Sequence, residues 1–239
     1  ICNLVCIRIK RNLSAFAVQH FGVDVDDVKF EDSNVCLGDK KITFKEFISL
    51  AFLNRVELFS NGYYKTPKIY YDEAKKHGRP FYYYSYGACL SEVIVDCLTG
   101  EYKLLAVDIL HDAGASLNPA IDMGQIVGGF IQGMGWLCSE ELMWDDSGVL
   151  LTTGASTYKI PAIGDTPEHF NVKIQPNISN HENTIHKSKA VGEPPLMLAL
   201  SVWLAIKNAI YNDDNDNKTG LDAPASFEKV FFNLNKKFN

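Results

Sequence analysis

The sequence has no excess of positive charge. Its 239 residues include 29 acidic and 23 basic side chains, which gives a formal net charge of −6. Nucleic acids and anionic lipid surfaces are bound largely through basic fields on the protein. We therefore expect no nucleic-acid partner and no membrane partner for this chain.

The sequence also lacks a Cys-x-x-Cys pair or any other compact grouping of cysteines, and its six histidines are equally scattered. Zinc and iron–sulfur sites need clustered ligands, and disulfide frameworks belong to small secreted chains. We interpret the cysteines as reduced, mostly buried thiols of a cytoplasmic protein, and we expect no metal to be bound directly by protein side chains. The cysteines are Cys2, Cys6, Cys36, Cys89, Cys97 and Cys138.

No initiator methionine, signal peptide or transit peptide precedes Ile1. This start leads us to expect a piece of a longer protein, in which a functional site is completed by residues from elsewhere. A chain of 239 residues with an apolar fraction of 46% can bury one substantial core, or two small cores.

The first part of the chain predicts a small α+β lobe over residues 1–62. A helix is expected up to Gly22, a glycine suited to the residue after a helix end. Short strands are predicted at 28–30 and 35–37. Thr43 and Glu46 form a capping box that starts a helix ending near Leu53.

The main lobe is predicted to cover residues 63–239. Aromatic and β-branched residues at 81–96 and 102–111 predict a two-stranded ribbon of a mixed or antiparallel sheet. Asn118 and Pro119 predict a helix running to about Leu142, and a second long helix is expected from Pro194 to about Tyr211. Residues 150–160 and 170–175 predict strands, and 212–220 a solvated loop. The expected fold class is α+β with two long buried helices.

The helix after Pro119 contains five glycines, which are unfavourable in helix interiors. Gln125 and Gln132 lie on one of its faces, because they are seven residues apart. Small residues and amides on one face suit a flat ligand with many hydrogen-bonding atoms. Close packing against another helix is the alternative explanation, and spacing alone favours it slightly. Asp122 and the two glutamines exclude a membrane span here.

Glu193 stands between Gly192 and Pro194, at the start of the second long helix. Proline disfavours helical geometry at the residue before it, so extended geometry is expected for Glu193. The following helix is apolar on nearly all sides, which predicts burial. A carboxylate at its entrance is a candidate general base. Capping of the helix, or pairing with Lys189, is the alternative.

Four segments resemble the xanthine dehydrogenase and aldehyde oxidase family of molybdenum hydroxylases, and the matches are collinear over most of the chain. The segments are 116–125 (SLNPAIDMGQ), 128–133 (GGFIQG), 156–162 (STYKIPA) and 189–196 (KAVGEPPL).

The resemblance implies the C-terminal part of a molybdopterin-binding domain in the large subunit of such an enzyme. It implies a molybdenum–molybdopterin cofactor, of which this chain holds a partial site, and Glu193 as the base that deprotonates the hydroxyl on molybdenum. Gln125 is implied as a cofactor contact, and Gln132, Lys189 and Gly192 are further candidates.

The resemblance further implies 2Fe-2S clusters, FAD and NAD elsewhere in the complex, on iron–sulfur and FAD domains or subunits, and a homodimer of the full complex. Overall similarity favours hypoxanthine and xanthine, oxidised to urate, as substrates. An aldehyde oxidase or another molybdenum hydroxylase is the alternative, and a non-catalytic scaffold or interaction fragment is the alternative of another class. The family's glycine-rich cofactor loop and substrate-clamping residues do not occur in this sequence, so the isolated chain is expected to be inactive.

Overall fold

The computed structural model describes residues 1–210 and 220–235. The chain divides into two compact units, Ile1–Gly78 and Arg79–Asn239, and each unit has its own hydrophobic core. The sequence-based division near residue 62 falls inside the first of these units. That both lobes belong to one molybdopterin-binding domain stays a prediction.

The first unit packs two helices on a three-stranded sheet. Its helices are α1 (Cys2–Phe21) and α2 (Phe44–Leu53), and its strands are β1 (Val28–Glu31), β2 (Asn34–Leu37) and β3 (Lys40–Thr43). Gly22 ends α1 in the left-handed conformation, with φ of 65°. The capping box of Thr43 and Glu46 is present at the start of α2. Strand β3 is not predicted by the sequence, because its two lysines break the apolar pattern. A two-stranded sheet of β4 (Tyr70–Asp72) and β5 (His77–Arg79) follows.

The second unit is built on a mixed sheet of three strands. These are β6 (Gly87–Val95), β7 (Tyr102–His111) and β8 (His169–Ile174), in the order β6-β7-β8. Strand β6 runs antiparallel to β7, with Ala88 opposite Leu110, and β8 runs parallel to β7, with Val172 opposite Ile109. The mixed α+β class is therefore confirmed.

The second unit also contains several helices, some of which contact the sheet. They are α3 (Pro119–Cys138), α4 (Ala155–Tyr158), α5 (Leu200–Ile210) and α6 (Phe227–Asn235), and a 3₁₀ segment, Pro194–Ala199, leads directly into α5. Buried side chains of β7, α3 and α5 form one core, which includes Val107, Ile126, Phe130, Val202 and Ile206. Contacts between α3 and the 3₁₀ segment bring the two helix starts singled out in the sequence into one region.

Several predicted boundaries are wrong. Helix α3 ends at Cys138 rather than near Leu142, and β6 begins at Gly87 rather than near residue 81. Residues 150–160 contain α4 instead of a strand. The reason is local, because the backbone N–H of Gly154 donates to Oγ1 of Thr157 at 3.0 Å, a side-chain bond that competes with strand pairing. The predicted helix end at Tyr211 and most of the predicted loop at 212–220 lie outside the described residues.

The helix that follows Glu193 is not buried on all sides, as its composition had suggested. Val202 and Ile206 are fully enclosed, whereas Met197, Leu200 and Leu204 are 50%, 42% and 55% exposed. One face of the segment therefore packs on the sheet and on α3. The opposite apolar face is solvent-accessible in the described part of the chain.

The six cysteines are all free, as expected, but most are not buried. Only Cys138 is buried, while Cys2, Cys6 and Cys97 are exposed. Cys2 and Cys6 lie on α1, and Cys97 lies in the turn between β6 and β7, where no neighbouring element covers it. Within residues 1–210 and 220–235, no helix is both long and apolar enough to cross a membrane.

Candidate functional site

Helix α3 begins as the sequence predicts. The side chain of Asn118 accepts a hydrogen bond from the backbone N–H of Ile121 at 3.3 Å, and Pro119 occupies the first turn. Ser116 donates from its hydroxyl to Oδ2 of Asp122 at 2.5 Å, which ties the preceding loop to the helix. These contacts set the direction in which the glycine-rich helix leaves the loop.

One side of α3 uses its glycines for packing. A Cβ placed on Gly129 would lie 3.2 Å from Cβ of Pro195, and one on Gly133 would lie 2.9 Å from Cβ of Ala199 and overlap the carbonyl of Leu196. Close packing against the 3₁₀ segment therefore explains these two glycines. Helix packing was one of the two explanations that the sequence left open.

The opposite side of α3 has space in front of its glycines. A Cβ on Gly124 or Gly128 would meet no other atom within 4 Å. Gln125 and Gln132, which lie on the same side, are exposed. We call Gly124, Gln125, Gly128 and Gln132 the amide face. Packing does not explain the glycines of this face among the described residues, so a ligand on this face stays a prediction.

The amide face lies next to the turn before Glu193. A Cβ on Gly192 would lie 3.8 Å from Oε1 of Gln125, and one on Gly129 would lie 3.6 Å from the carbonyl oxygen of Gly192. The structure thus brings Gln125 and Gly192 together. Gln132 lies two turns further along the same face, about 10 Å from Gln125 by helix geometry.

Glu193 is not extended, contrary to the expectation from Pro194. Its φ and ψ are −91° and −38°, which is right-handed helical geometry. The reason is that the 3₁₀ turn already starts here, because the backbone N–H of Leu196 donates to the carbonyl of Glu193 at 3.1 Å. That hydrogen bond outweighs the steric bias from proline.

The carboxylate of Glu193 is exposed and makes no cap hydrogen bond to the helix that it precedes. It does not pair with Lys189, whose ammonium binds Asp112 instead. Both alternatives considered for this glutamate, capping and pairing, are therefore absent. The side chain is available to a ligand or substrate at the edge of the amide face.

Lys189 lies in a different environment from the other candidates. Its Nζ is 2.5 Å from Oδ2 of Asp112, and the two side chains are only 6% and 7% exposed. It also donates to the carbonyl of Tyr84 at 2.9 Å and lies 5.1 Å from the centre of the Tyr86 ring. The ammonium group is therefore engaged by protein groups.

His111 precedes Asp112 at the end of β7 and was not singled out in the sequence. It is 2% exposed, and neither ring nitrogen has a hydrogen-bond partner. Burial, with a smaller contribution from Lys189, lowers the pKa of His111, while Asp112 acts in the opposite direction. The ring lies close to Gly87, where an added Cβ would be 2.9 Å from Nδ1 of His111, and the lowered pKa favours the neutral imidazole.

Asp112 was missed as well, although a local signal existed. Its Oδ1 accepts a hydrogen bond from the backbone N–H of Gly114 at 2.8 Å, as expected for an Asp-x-Gly turn at the end of a strand. The signal predicts a turn but not a buried ion pair. Lys189 lies too far along the chain for spacing to reveal the partnership.

A cavity of about 450 Å³ lies at the other end of α3. It is lined by Tyr102, Met134, Cys138, Val202 and Phe227, among others. None of the predicted site residues borders it. In the described parts of the chain, no group of three or more histidine, cysteine or acidic side chains could hold a metal ion.

Comparison with known proteins identifies the class of this domain. A family model described as the molybdopterin cofactor-binding domain matches residues 2–167. The chain belongs to this molybdopterin cofactor-binding domain family. The matched residues include Gln125 and Gln132, whereas Lys189, Gly192 and Glu193 lie beyond them.

Within that class, the chain is similar to xanthine dehydrogenases. It is 47% identical to the xanthine dehydrogenase/oxidase of Felis catus over 195 residues, covering 79% of this chain and 15% of the cat protein. It is 43% identical to the xanthine dehydrogenase of Oryza sativa subsp. japonica, covering 79% of this chain and 14% of the rice protein. The chain thus spans about 15% of the length of these curated relatives.

Solved structures show the same fold. The CO dehydrogenase of Oligotropha carboxidovorans matches with a TM-score of 0.61 and 20% identity, covering 98% of this chain and 28% of that one. The aldehyde oxidoreductase of Desulfovibrio desulfuricans matches with a TM-score of 0.53 and 30% identity, covering 67% of this chain and 16% of that one.

Proposed function

We propose that this chain supplies the general base and part of the molybdopterin site of a molybdenum hydroxylase that oxidises hypoxanthine and xanthine to urate. Glu193 is the base. The observation that carries the proposal is its exposed carboxylate, which has neither a cap hydrogen bond nor an ion pair with Lys189 and stands at the edge of the amide face. The xanthine dehydrogenases at 43–47% identity support the purine substrate.

The residues of the amide face fit a pterin. Gly124 and Gly128 leave room for a flat group to approach the helix backbone, and Gln125 and Gln132 offer amide donors and acceptors on the same side. Gly192 allows close approach beside Gln125. When bound, the cofactor supplies a molybdenum centre that accepts the electrons removed from the substrate. Lys189 contributes through the backbone around it, since its ammonium is buried with Asp112.

Glu193 would take up a proton as the substrate is hydroxylated. A general base has to be ionised and held at a fixed position. Gly192 and Pro194 flank the residue, and the 3₁₀ turn that begins at its carbonyl restricts its backbone. The protein therefore fixes the position of the carboxylate through its main chain and leaves the oxygen atoms free for the reaction.

In the complete enzyme, electrons would pass to 2Fe-2S clusters, FAD and NAD bound elsewhere in a cytoplasmic complex, which we propose to be a homodimer. The remainder of the large subunit would complete the cofactor and substrate sites.

The test is Glu193→Gln in the full-length complex, with molybdenum content measured beside turnover of xanthine. Removing a positioned base should lower kcat by about 10²–10⁴-fold with the metal content unchanged. Glu101→Gln, an exposed glutamate in the turn before β7, is the matched control and should keep wild-type turnover. Retention of kcat within about tenfold in Glu193→Gln would eliminate the base role and favour a scaffold function.

Aldehyde oxidation is the second candidate, supported by the 30% identical aldehyde oxidoreductase. The same preparation decides between the two substrates when xanthine and an aromatic aldehyde are compared by kcat/KM. A higher value for the aldehyde would contradict the purine assignment and leave the role of Glu193 intact.

A further inference from the structure

Among the described residues of the second unit, Lys189 and Asp112 form the most enclosed ion pair. The side chains are 6% and 7% exposed, and Nζ of Lys189 lies 2.5 Å from Oδ2 of Asp112. The carbonyl of Tyr84 at 2.9 Å supplies a further acceptor. Breaking such a pair by neutralising one partner leaves an uncompensated buried charge, which folded proteins tolerate poorly.

Asp112 joins the strand end to the chain before β6 as well. Its backbone N–H donates to the carbonyl of Tyr86 at 2.8 Å, and its Oδ1 accepts from the N–H of Gly114 at 2.8 Å. Both carboxylate oxygens and the backbone N–H of Asp112 therefore have hydrogen-bond partners. The hydrogen bond from Gly114 holds Oδ1, while Oδ2 accepts from Lys189.

The backbone around Lys189 is attached to the same turn. We call residues 187–190 the anchor segment. The N–H of Lys189 donates to the carbonyl of Ala113 at 2.9 Å, and the N–H of Ala115 donates to the carbonyl of Lys187 at 3.0 Å. Gly114 has φ of +61°, and a Cβ there would lie 2.7 Å from the carbonyl oxygen of Lys187. The close approach of the two segments thus requires this glycine.

The other edge of the anchor segment is held by side chains that precede β6. The N–H of Ala190 donates to the hydroxyl of Tyr83 at 2.9 Å, and Ser85 donates from its hydroxyl to the carbonyl of Ala190 at 3.1 Å. Val191, the next residue, is buried. The chain is therefore fixed on both sides immediately before Gly192 and Glu193.

We propose that Asp112 is a positioning residue for Glu193, and that it acts through Lys189 and the anchor segment. The inference rests on the proposed role of Glu193 as the base. The buried ion pair fixes the end of the anchor segment, and only Ala190, Val191 and Gly192 separate Lys189 from the carboxylate. A displacement of about 1 Å at a reacting group can lower a rate on the order of 10²-fold, so loosening this anchor should reduce kcat without any contact between Asp112 and the substrate.

The experiment uses the full-length complex with Asp112→Asn, Lys189→Met and the double variant. Lys103→Met is the matched control, because Lys103 forms an exposed ion pair with Glu168 in the same sheet. Four quantities are measured: kcat, KM for xanthine, molybdenum content, and hydrogen exchange of the amides of residues 190–192. Asp112→Asn should lower kcat on the order of 10²-fold, keep KM within about threefold and speed amide exchange at least tenfold. The control should change none of these.

The double variant separates positioning from folding. Because it removes both charges, it should recover the thermal stability lost in the single variants, while kcat stays low because the anchor is still missing. Recovery of kcat together with stability would overturn the proposal, and so would wild-type exchange of residues 190–192 in Asp112→Asn. If Asp112→Asn does not fold, Asp112→Glu provides the test. This variant keeps the charge and should lower kcat about tenfold, with a smaller increase in amide exchange at residues 190–192 than in Asp112→Asn. Wild-type values of kcat and of amide exchange would also overturn the proposal.

The role of Glu193 is tested separately by Glu193→Gln. If Glu193 is not the base, hydrogen exchange of residues 190–192 still shows whether the ion pair holds the anchor segment in place. If the ion pair does not hold the anchor segment, Glu193→Gln should still lower kcat as expected for loss of the base.

Discussion

Gly128 offers a direct test of whether the amide face is kept open for a ligand. A methyl group added there meets no atom within 4 Å in the described structure. Alanine is favoured over glycine in a helix interior by about 1 kcal/mol. Without cofactor, Gly128→Ala should therefore stabilise α3 by about that amount. If a pterin lies on this face, the larger Gly128→Leu should exclude it.

Gly133 provides the matched control on the packed side of the same helix. An alanine there would lie 2.9 Å from Cβ of Ala199 and overlap the backbone carbonyl of Leu196, an atom that cannot turn away as a side chain does. Overpacking typically costs about 1–3 kcal/mol, and the better helix propensity offsets about 1 kcal/mol of this. Gly133→Ala should therefore destabilise the unit by up to about 2 kcal/mol.

The assay has two parts, both on the full-length complex. Native-state hydrogen exchange of the α3 amides reports local stability, and fluorescence of the released pterin reports cofactor content. We expect slower exchange in cofactor-free Gly128→Ala, faster exchange in Gly133→Ala, and at least a tenfold loss of pterin in Gly128→Leu. A folded Gly128→Leu enzyme with full pterin content would refute the assignment of the amide face.

Three further predictions concern buried groups of the second unit. Replacing His111 by leucine should raise stability by about 1–3 kcal/mol in chemical denaturation, because both ring nitrogens lack partners. Burial lowers the pKa of His111, so the wild type should also lose stability as pH falls below about 6.5. His111→Leu should lose less stability over this range. An equal loss of stability with acid in the two proteins would contradict this reasoning. Burial raises the pKa of the Cys138 thiol to about 12. In the native protein, iodoacetamide at pH 8 should therefore label exposed Cys97 and leave Cys138 unmodified. Peptide mass spectrometry measures both results. The Tyr102 hydroxyl donates to the carbonyls of Cys138 and Ala225 at 3.2 and 3.0 Å. Tyr102→Phe should therefore lower the free energy of unfolding by about 1–3 kcal/mol. An unchanged denaturation midpoint would count against this prediction.

Local signals in the sequence predicted the starts of α2 and α3 and the end of α1 well. The cap at Asn118 and the capping box of Thr43 and Glu46 depend on residues within one turn, so spacing alone reveals them. Strand β7 was predicted with its observed bounds because apolar residues recur along its whole length, with only Lys103 and Asp108 charged. The mixed class of the sheet followed from similar patterns, although strand order depends on non-local pairing and could not be predicted.

Non-local contacts account for what the sequence did not reveal. The backbone of Glu193 is helical because Leu196 bonds to its carbonyl in a turn that packs on α3, and this outweighs the local effect of Pro194. The ammonium of Lys189 pairs with Asp112, seventy-seven positions away, and sequence spacing could not reveal a pair at that separation. Exposure of Cys2 and Cys6 likewise depends on which face of α1 they occupy.

The contrast between Lys189 and Glu193 is the strongest structural argument for the site. An exposed, unpaired glutamate is by itself an ordinary surface residue. Here, however, the backbone just before it is held on two sides by hydrogen bonds and by a buried ion pair. Surface side chains without a role do not need such a rigid support, whereas a general base does. Residues 187–190 hold the backbone in position, and the unpaired carboxylate of Glu193 carries out the proposed chemistry. Mutations that loosen residues 187–190 should therefore change both amide exchange and kcat. Mutations of the Glu193 side chain should change kcat alone.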